Sequence, residues 1–469
     1  MLLSEAAEWA GIRLPGSYSL CKIFDRGKRG IIMPRKSPII SVALFLSGLI
    51  FISPLSADNG NYRNFLVGDR AAGMGGAVVA STADLDACYY NPAGLGRVSG
   101  SRISLSASLY GIYRVRVNEG LGPGESYKTH AFESIPSTFG SILKVSDRLA
   151  LAISAFTPDQ IDYDSQSSFE RQPYRTGMLQ SDYYATTVDD TLMWIGPSLG
   201  WKVTPRFSIG CGAYVAYRTS VRRQSWSYLY TSESDNSIVE VLSRQYSIDY
   251  SNYGLLGLFG GQYFLTDEIS VGVTVQTPTV NLTGDGEVLY SASLGGSGND
   301  ELFHAENMES KNKIPARISG GISYREPGHY GFEVDVSYHF PTSYTELSGD
   351  DIWSGDPVTL NVRKEPVTNV NLGAEYYLLE NHPLRLGFFT NLSSAPYPDL
   401  DSAASGEDVD MYGASASAGY ETEHSTFTLG LNYVWGKGKC LGFGQDFQPV
   451  VVDVRESYIF VFLASAYIF

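Results

Sequence analysis

Phe207-Ser208-Ile209-Gly210-Cys211-Gly212-Ala213-Tyr214-Val215-Ala216-Tyr217-Arg218 changes character at every step. Phe207, Ile209, Cys211, Ala213, Val215 and Tyr217 form one set, and Ser208, Gly210, Gly212 and Arg218 fall in the other. Successive side chains of a β-strand point to opposite faces, so a two-residue rhythm is the mark of a strand with one apolar side. The rhythm returns in Ile103/Leu105/Ala107/Leu109, in Ile269/Val271/Val273/Val275 and in Phe427/Leu429/Leu431/Tyr433/Trp435. Helical periodicity is nearly absent, so the chain reads as all-β.

The connections between these stretches sort into two kinds. Six are short and polar: Ser146–Arg148, Thr204–Arg206, Thr266–Glu268, Glu326–His329, Glu380–Pro383 and Thr422–His424. Seven are long, near 117–134, 158–188, 220–245, 278–312, 341–366, 392–409 and 436–455, and they alternate with the short ones. A soluble sandwich has no reason to sort its loops this way. A transmembrane barrel does, with tight turns at one rim and long loops at the other. The count predicts a transmembrane antiparallel β-barrel of about 14 strands over residues 101–469. The expected long loops carry acidic and aromatic residues such as Tyr228, Tyr230, Asp350, Asp351, Asp399 and Asp401, a composition that solvation alone explains.

Composition agrees. The 469 residues include 49 Gly, 32 Tyr and 22 Phe, with 18% charged residues and a net charge of −16. Aromatic and small residues at middling hydropathy suit strands with one wet face, and the acidity argues against a nucleic-acid partner. Arg35 and Lys36 precede an apolar run from Ile39 to Ile52 that ends in small residues. That order is a secretory signal peptide. Residues 1–57 are therefore expected to be an over-long start plus leader, with initiation at Met33 and cleavage after Ala57. Seven of the 34 bases and three of the 50 acids lie there, leaving an exported chain at net −20. Cys88, Cys211 and Cys440 are too scattered for a disulfide framework or a metal site.

Residues 58–100 break the rhythm. They contain Gly73-Met74-Gly75-Gly76-Ala77 and Tyr90-Asn91-Pro92-Ala93-Gly94-Leu95. Their glycines suit tight turns, but no Lys-Ser/Thr follows and no strand precedes, so a phosphate loop is a poor reading. Small residues would let this segment pack inside a barrel. On these residues the chain resembles the FadL family of outer-membrane transporters. The likeness runs on through Pro315-Ala316-Arg317, Asp335-Val336-Ser337-Tyr338, Leu372-Gly373-Ala374-Glu375-Tyr376, Leu384-Arg385-Leu386-Gly387 and Phe427-Thr428-Leu429-Gly430. One departure is His339-Phe340-Pro341, where the family often carries Trp-Ser. The resemblance implies a lumenal hatch carried by Gly73, Gly75, Gly76, Asn91, Pro92 and Ala93. It also implies passive uptake of hydrophobic compounds such as long-chain fatty acids or aromatic hydrocarbons. A branch sharing the same signature serves protein secretion and surface attachment, which is the alternative.

Alternation turns certain side chains inward. Arg317, Glu333, Asp335, Glu375 and Arg385, with His339, form an expected charge girdle near the rim of short turns that anchors the hatch through Asp69, Arg70 or Asp84. Phe389, Phe460 and Phe462 are the candidate hydrophobic ligand contacts. The chain ends on alternating apolar residues and Phe469, resembling the signal read by the outer-membrane assembly machinery. No catalytic elbow or His-Glu-x-x-His motif stands in the sequence. The expectation is a monomeric, non-enzymatic barrel of a Gram-negative-type outer membrane, in contact with lipid and a hydrophobic small molecule, with no cofactor or metal.

Overall fold

The computed structural model describes residues 60–122, 124–175, 177–295, 299–398, 407–443 and 449–469. The leader and its cleavage point, along with Asp399 and Asp401, lie outside the described residues. From Arg102 onward the described residues form one antiparallel sheet of 19 segments whose first and last members pair, Arg102 opposite Ile468 and Ile112 opposite Ile459. Five wall strands are each split by a short irregularity, so the closed barrel has 14 strands.

In chain order the wall is β1 (Arg102–Gly122), β2 (Glu125–Pro136) continued by β3 (Thr138–Lys144), β4 (Leu149–Arg175), β5 (Met178–Lys202), β6 (Phe207–Ser232) and β7 (Ile238–Phe264). Next come β8 (Ile269–Gln276) with β9 (Val280–Leu294), β10 (Asn299–Ser310) with β11 (Arg317–Glu326), β12 (Tyr330–His339) with β13 (Thr342–Asp350), and β14 (Pro357–Lys364) with β15 (Val367–Leu379). β16 (His382–Asn391), β17 (Asp408–Glu421), β18 (Ser425–Phe443) and β19 (Pro449–Ile468) complete the ring. Closure matters because lipid offers no partner to a bare sheet edge.

The outward set is apolar and exposed: Ile153, Ile209, Val273, Ile322, Val334, Leu386, Leu431 and Val461 look away from the barrel. Exposed tyrosines frame this band. Tyr420 and Tyr412 on β17, Tyr330 and Tyr338 on β12, and Tyr263 and Tyr253 on β7 sit eight or ten residues apart. At about 3.3 Å per residue and a tilt of about 40°, their rows stand roughly 20–25 Å apart, the height of a lipid-facing band.

The six short turns stand where the sequence places them, but the long connections differ from expectation. Most are not loops. β4 runs to Arg175 and β5 resumes at Met178, so the stretch 158–188 is a tall hairpin; 117–134 and 220–245 behave alike. The reason is a reversal of the pattern above the membrane. On the upper part of β6, Trp226, Tyr228 and Tyr230 point inward and are buried, while Ser225 and Ser227 face out. There the outside is water and the apolar set turns to the interior. Among the described residues, irregular stretches of six or seven residues remain at 311–316, 351–356 and 392–398.

A charge placed in the apolar band should be costly. Leu431→Arg, at mid-height on β18, is expected to lower stability by about 2–4 kcal/mol, read by urea titration of protein refolded into vesicles. Lys437→Arg on the same strand should leave the midpoint unchanged.

Candidate functional site in the lumen

Residues 60–100 have little regular structure of their own. α1 (Arg70–Gly73) and α2 (Ala87–Tyr90) are single turns, and a 3-10 stretch spans Pro92–Arg97. Phe65, Leu66, Ala71, Met74, Ala77, Leu85, Cys88 and Leu95 are nevertheless all buried. Gly75 and Gly76 adopt φ of 66° and 78°, the left-handed region that glycine enters without steric cost. The backbone here also runs against the wall. A Cβ on Gly387 of β16 would lie 2.0 Å from the Gly75 nitrogen, and one on Gly210 of β6 would lie 2.2 Å from the Pro92 carbonyl carbon.

Turns within the segment close internal hydrogen bonds such as Thr82 to Val78 and Tyr90 to Asp86, but the buried backbone groups they leave open need partners, and inward side chains supply them. Asp335 Oδ2 accepts from the Val78 and Val79 amides at 2.8 and 2.9 Å, and Glu333 Oε1 from the Ala80 amide at 2.6 Å. The Ser81 hydroxyl donates to the second Glu333 oxygen. Asn371 donates to the Gly75 carbonyl, Ser415 to Gly73, Ser270 to Ala80 and Thr274 to Tyr90. Asn91 is the hub. Its side chain caps the 3-10 turn by accepting from the Ala93 amide, and its Nδ2 donates to the carbonyls of Val79 at 2.7 Å and Gly261 at 3.1 Å. Pro92 then fits a position whose N–H is not needed.

The expected girdle divides into three. Glu375 is an ion-pair centre, with Arg385 Nε at 2.7 Å, Arg70 Nε at 3.2 Å and Arg325 Nε at 3.5 Å. Arg385 also pairs with Glu421. Glu333 and Asp335 instead serve the amides of the segment. Arg317 joins neither group; it lies opposite His339, away from the 327–329 turn, with its guanidinium 5.7 Å from the Tyr89 ring. The girdle is therefore not a single band at one rim. His339 stacks on Tyr62 at 4.2 Å. Of the three partners expected on the segment, Arg70 reaches Glu375, Asp84 accepts from Thr82 and the Asp86 amide, and Asp69 donates its amide to Asp86. Burial pushes the Asp86 carboxyl well above its ordinary range, and Asp84 and Asp69 push the same way. A cavity of about 290 Å³ lies below this cluster, lined by Asp69, Arg70, Asp84, Arg102 and Arg385 and reaching Thr422 of the last short turn.

Phe389, Phe460 and Phe462 face inward and are almost fully buried. They belong to one apolar cluster with Phe65, Leu66 and Ala72 of the segment, and Phe65 meets Phe460 edge-on at 6.1 Å. Sequence reasoning passed over much of the polar lining. Asn371, Asn391, Gln262 and Ser415 all hold the segment's backbone, yet nothing sets them apart from other inward polar residues. Asn391 accepts no special signal from its neighbours, but its Nδ2 donates to the Arg63 carbonyl, while Asn61 donates to the carbonyls of Asn391 and Val409.

A closed lipid-facing barrel whose interior holds its own N-terminal segment defines a membrane channel of the plugged type. The sequence matches the family model for outer membrane protein transport proteins (OMPP1/FadL/TodX) over residues 64–466, and the chain belongs to that family. The fold is similar to a Pseudomonas aeruginosa FadL homologue, at TM-score 0.60 and 14% identity over 87% of this chain and 99% of that one. It is similar also to the Pseudomonas putida toluene transporter TodX, at TM-score 0.61 and 14% identity over the same shares, 87% and 99%. The CymD monoaromatic hydrocarbon channel gives 0.56 at 15% identity, again over 87% and 99%. Among curated proteins, no sequence relative matches.

Removing the carboxylates that hold residues 78–80 should free the segment. Glu333→Ala with Asp335→Ala orphans three buried amides at roughly 1–3 kcal/mol each. The double variant is expected to raise leak conductance in planar bilayers; conductance equal to that of the unaltered protein would contradict an anchoring role.

Proposed function

We propose that the chain is a passive outer-membrane channel for hydrophobic small molecules, with residues 58–100 as the stopper of its lumen. The observation that carries this reading is the buried patch of Phe389, Phe460 and Phe462. A porin for hydrophilic solutes has no use for such a patch, whereas a carrier of apolar compounds needs one. Phe65 of the stopper occupies the space beside Phe460, so an arriving ligand displaces or shares it.

Magnitudes suit transit rather than storage. An apolar ligand that buries about 150 Å² gains about 4 kcal/mol at 25 cal/mol per Å². That corresponds to a dissociation constant of about 1 mM before the cost of moving Phe65. Long-chain compounds bury more and bind more tightly. No step needs covalent chemistry, and the work is sorting by solubility. Release follows either a shift of the stopper above the 290 Å³ cavity or a sideways route through the wall. Irregularities on three neighbouring wall strands support the sideways route. β1 shifts register between Leu105 and Ser108, the next strand breaks at Ser137, and β4 shifts between Phe156 and Asp159. Phe469 at the last strand fits the assembly signal, and the barrel is read as a monomer in outer-membrane lipid.

Uptake into liposomes tests this. Vesicles carrying the protein should accumulate radiolabelled fatty acid or toluene several-fold faster than empty vesicles, and Phe389→Asp with Phe462→Asp should remove the gain while leaving the barrel folded. Equal uptake with and without protein, or a stoichiometric protein partner on purification, would turn the assignment to an accessory role in secretion or surface attachment.

A further inference from the structure

Lys437, Arg455, Arg116 and Lys128 stand directly opposite one another on four adjacent strands, β18, β19, β1 and β2. All four face outward and are exposed. The next rung toward the short turns adds Arg114 opposite His130. Side chains directly opposite in an antiparallel pair are about 5 Å apart at Cβ, and like charges there repel. A rung of four bases is therefore unfavourable in isolation, and in a chain of net charge −16 it is not a product of composition. None of the four makes an ion pair among the described residues. The nearest acids answer only in part: Asp410 lies opposite Lys437, and Asp453 is already held by Lys439 at 2.6 Å.

Height on the wall says what completes the rung. Lys437 is the first outward residue beyond Trp435, and Arg114 the first beyond Ile112; His130 follows Phe132. The bases thus stand on the rim of the lipid-facing band, at the end of the tall hairpins. An anion that fills this place must share the wall with acyl chains packed on Ile112, Phe132, Ile459 and Trp435. Toward β17 the rung ends at Asp410, opposite Lys437, and on the other side the outward residues of β4 are Asp162, Asp164 and Gln166, none of them basic, so the patch is bounded.

We infer that Lys437, Arg455, Arg116 and Lys128 form a binding site for the phosphate of a lipid headgroup in the leaflet around the tall hairpins. The ligand is amphiphilic: its phosphate bridges the rung and relieves the repulsion, and its chains lie on the apolar wall below. Binding is salt-sensitive because the bases are exposed. It is independent of what the lumen carries.

The test uses the whole protein in nanodiscs of phosphatidylcholine, with and without phosphatidic acid, or with added inorganic phosphate. Native mass spectrometry should show phosphatidic acid retained on the unaltered protein. Arg116→Gln with Arg455→Gln should weaken it by about tenfold to thirtyfold, the equivalent of about 1 kcal/mol for each base removed. Lys128→Gln with Lys437→Gln should do the same. Thermal unfolding gives a signature of opposite sign: in phosphatidylcholine alone the double variants melt higher than the unaltered protein, and with phosphatidic acid they melt lower. Equal retention of phosphatidic acid and phosphatidylcholine would overturn the inference. So would unchanged affinity in both double variants, or inorganic phosphate alone reproducing the thermal shift.

Discussion

The architecture depends on one requirement, that every backbone N–H and C=O taken out of water must find a partner. The wall meets it by closing, β1 on β19. The segment inside cannot meet it alone, because its two α-helices are four residues long and its 3-10 stretch six. The amides of Val78, Val79 and Ala80 and the carbonyls of Gly73, Gly75, Val79, Ala80 and Tyr90 are satisfied by the wall, through Asp335, Glu333, Asn371, Gln262, Ser270, Thr274 and Ser415. The inward polar face of the barrel is thereby part of the segment's fold. Glu333 and Asp335 together take three successive amides and the Ser81 hydroxyl, which makes residues 78–80 the most closely held stretch of the segment's backbone.

The same requirement explains the small residues on both sides. Side chains as short as Ser or Asn reach the segment only if its backbone lies close. Gly387 against Gly75 and Gly210 against Pro92 provide that approach. The ion-pair centre around Glu375 fits this frame as well. Three guanidinium groups converge on one buried carboxylate, one of them from the segment. Truncating one partner of such a cluster leaves a buried charge uncompensated, typically a cost of about 3–5 kcal/mol.

Much of this was legible in the residues alone. The two-residue rhythm gave the strands, the tight turns gave their number, and Asn91-Pro92-Ala93 gave the family. Two things were not legible. The tall hairpins read as loops because their apolar set faces inward; Trp226, Tyr228 and Tyr230 alternate in the opposite sense to Leu429 and Leu431 on the membrane face. The split of the girdle was hidden too. Alternation says that Arg317 and Glu333 point inward, but which one meets the segment depends on strand stagger, which no local pattern encodes.

Amide hydrogen exchange across residues 60–98 tests the central claim most directly. If the wall completes the segment's hydrogen bonding, Val78, Val79 and Ala80 exchange as slowly as the barrel strands, and Asp335→Ala speeds them by orders of magnitude while the strands stay protected. Rapid exchange at these amides in the unaltered protein would contradict the account.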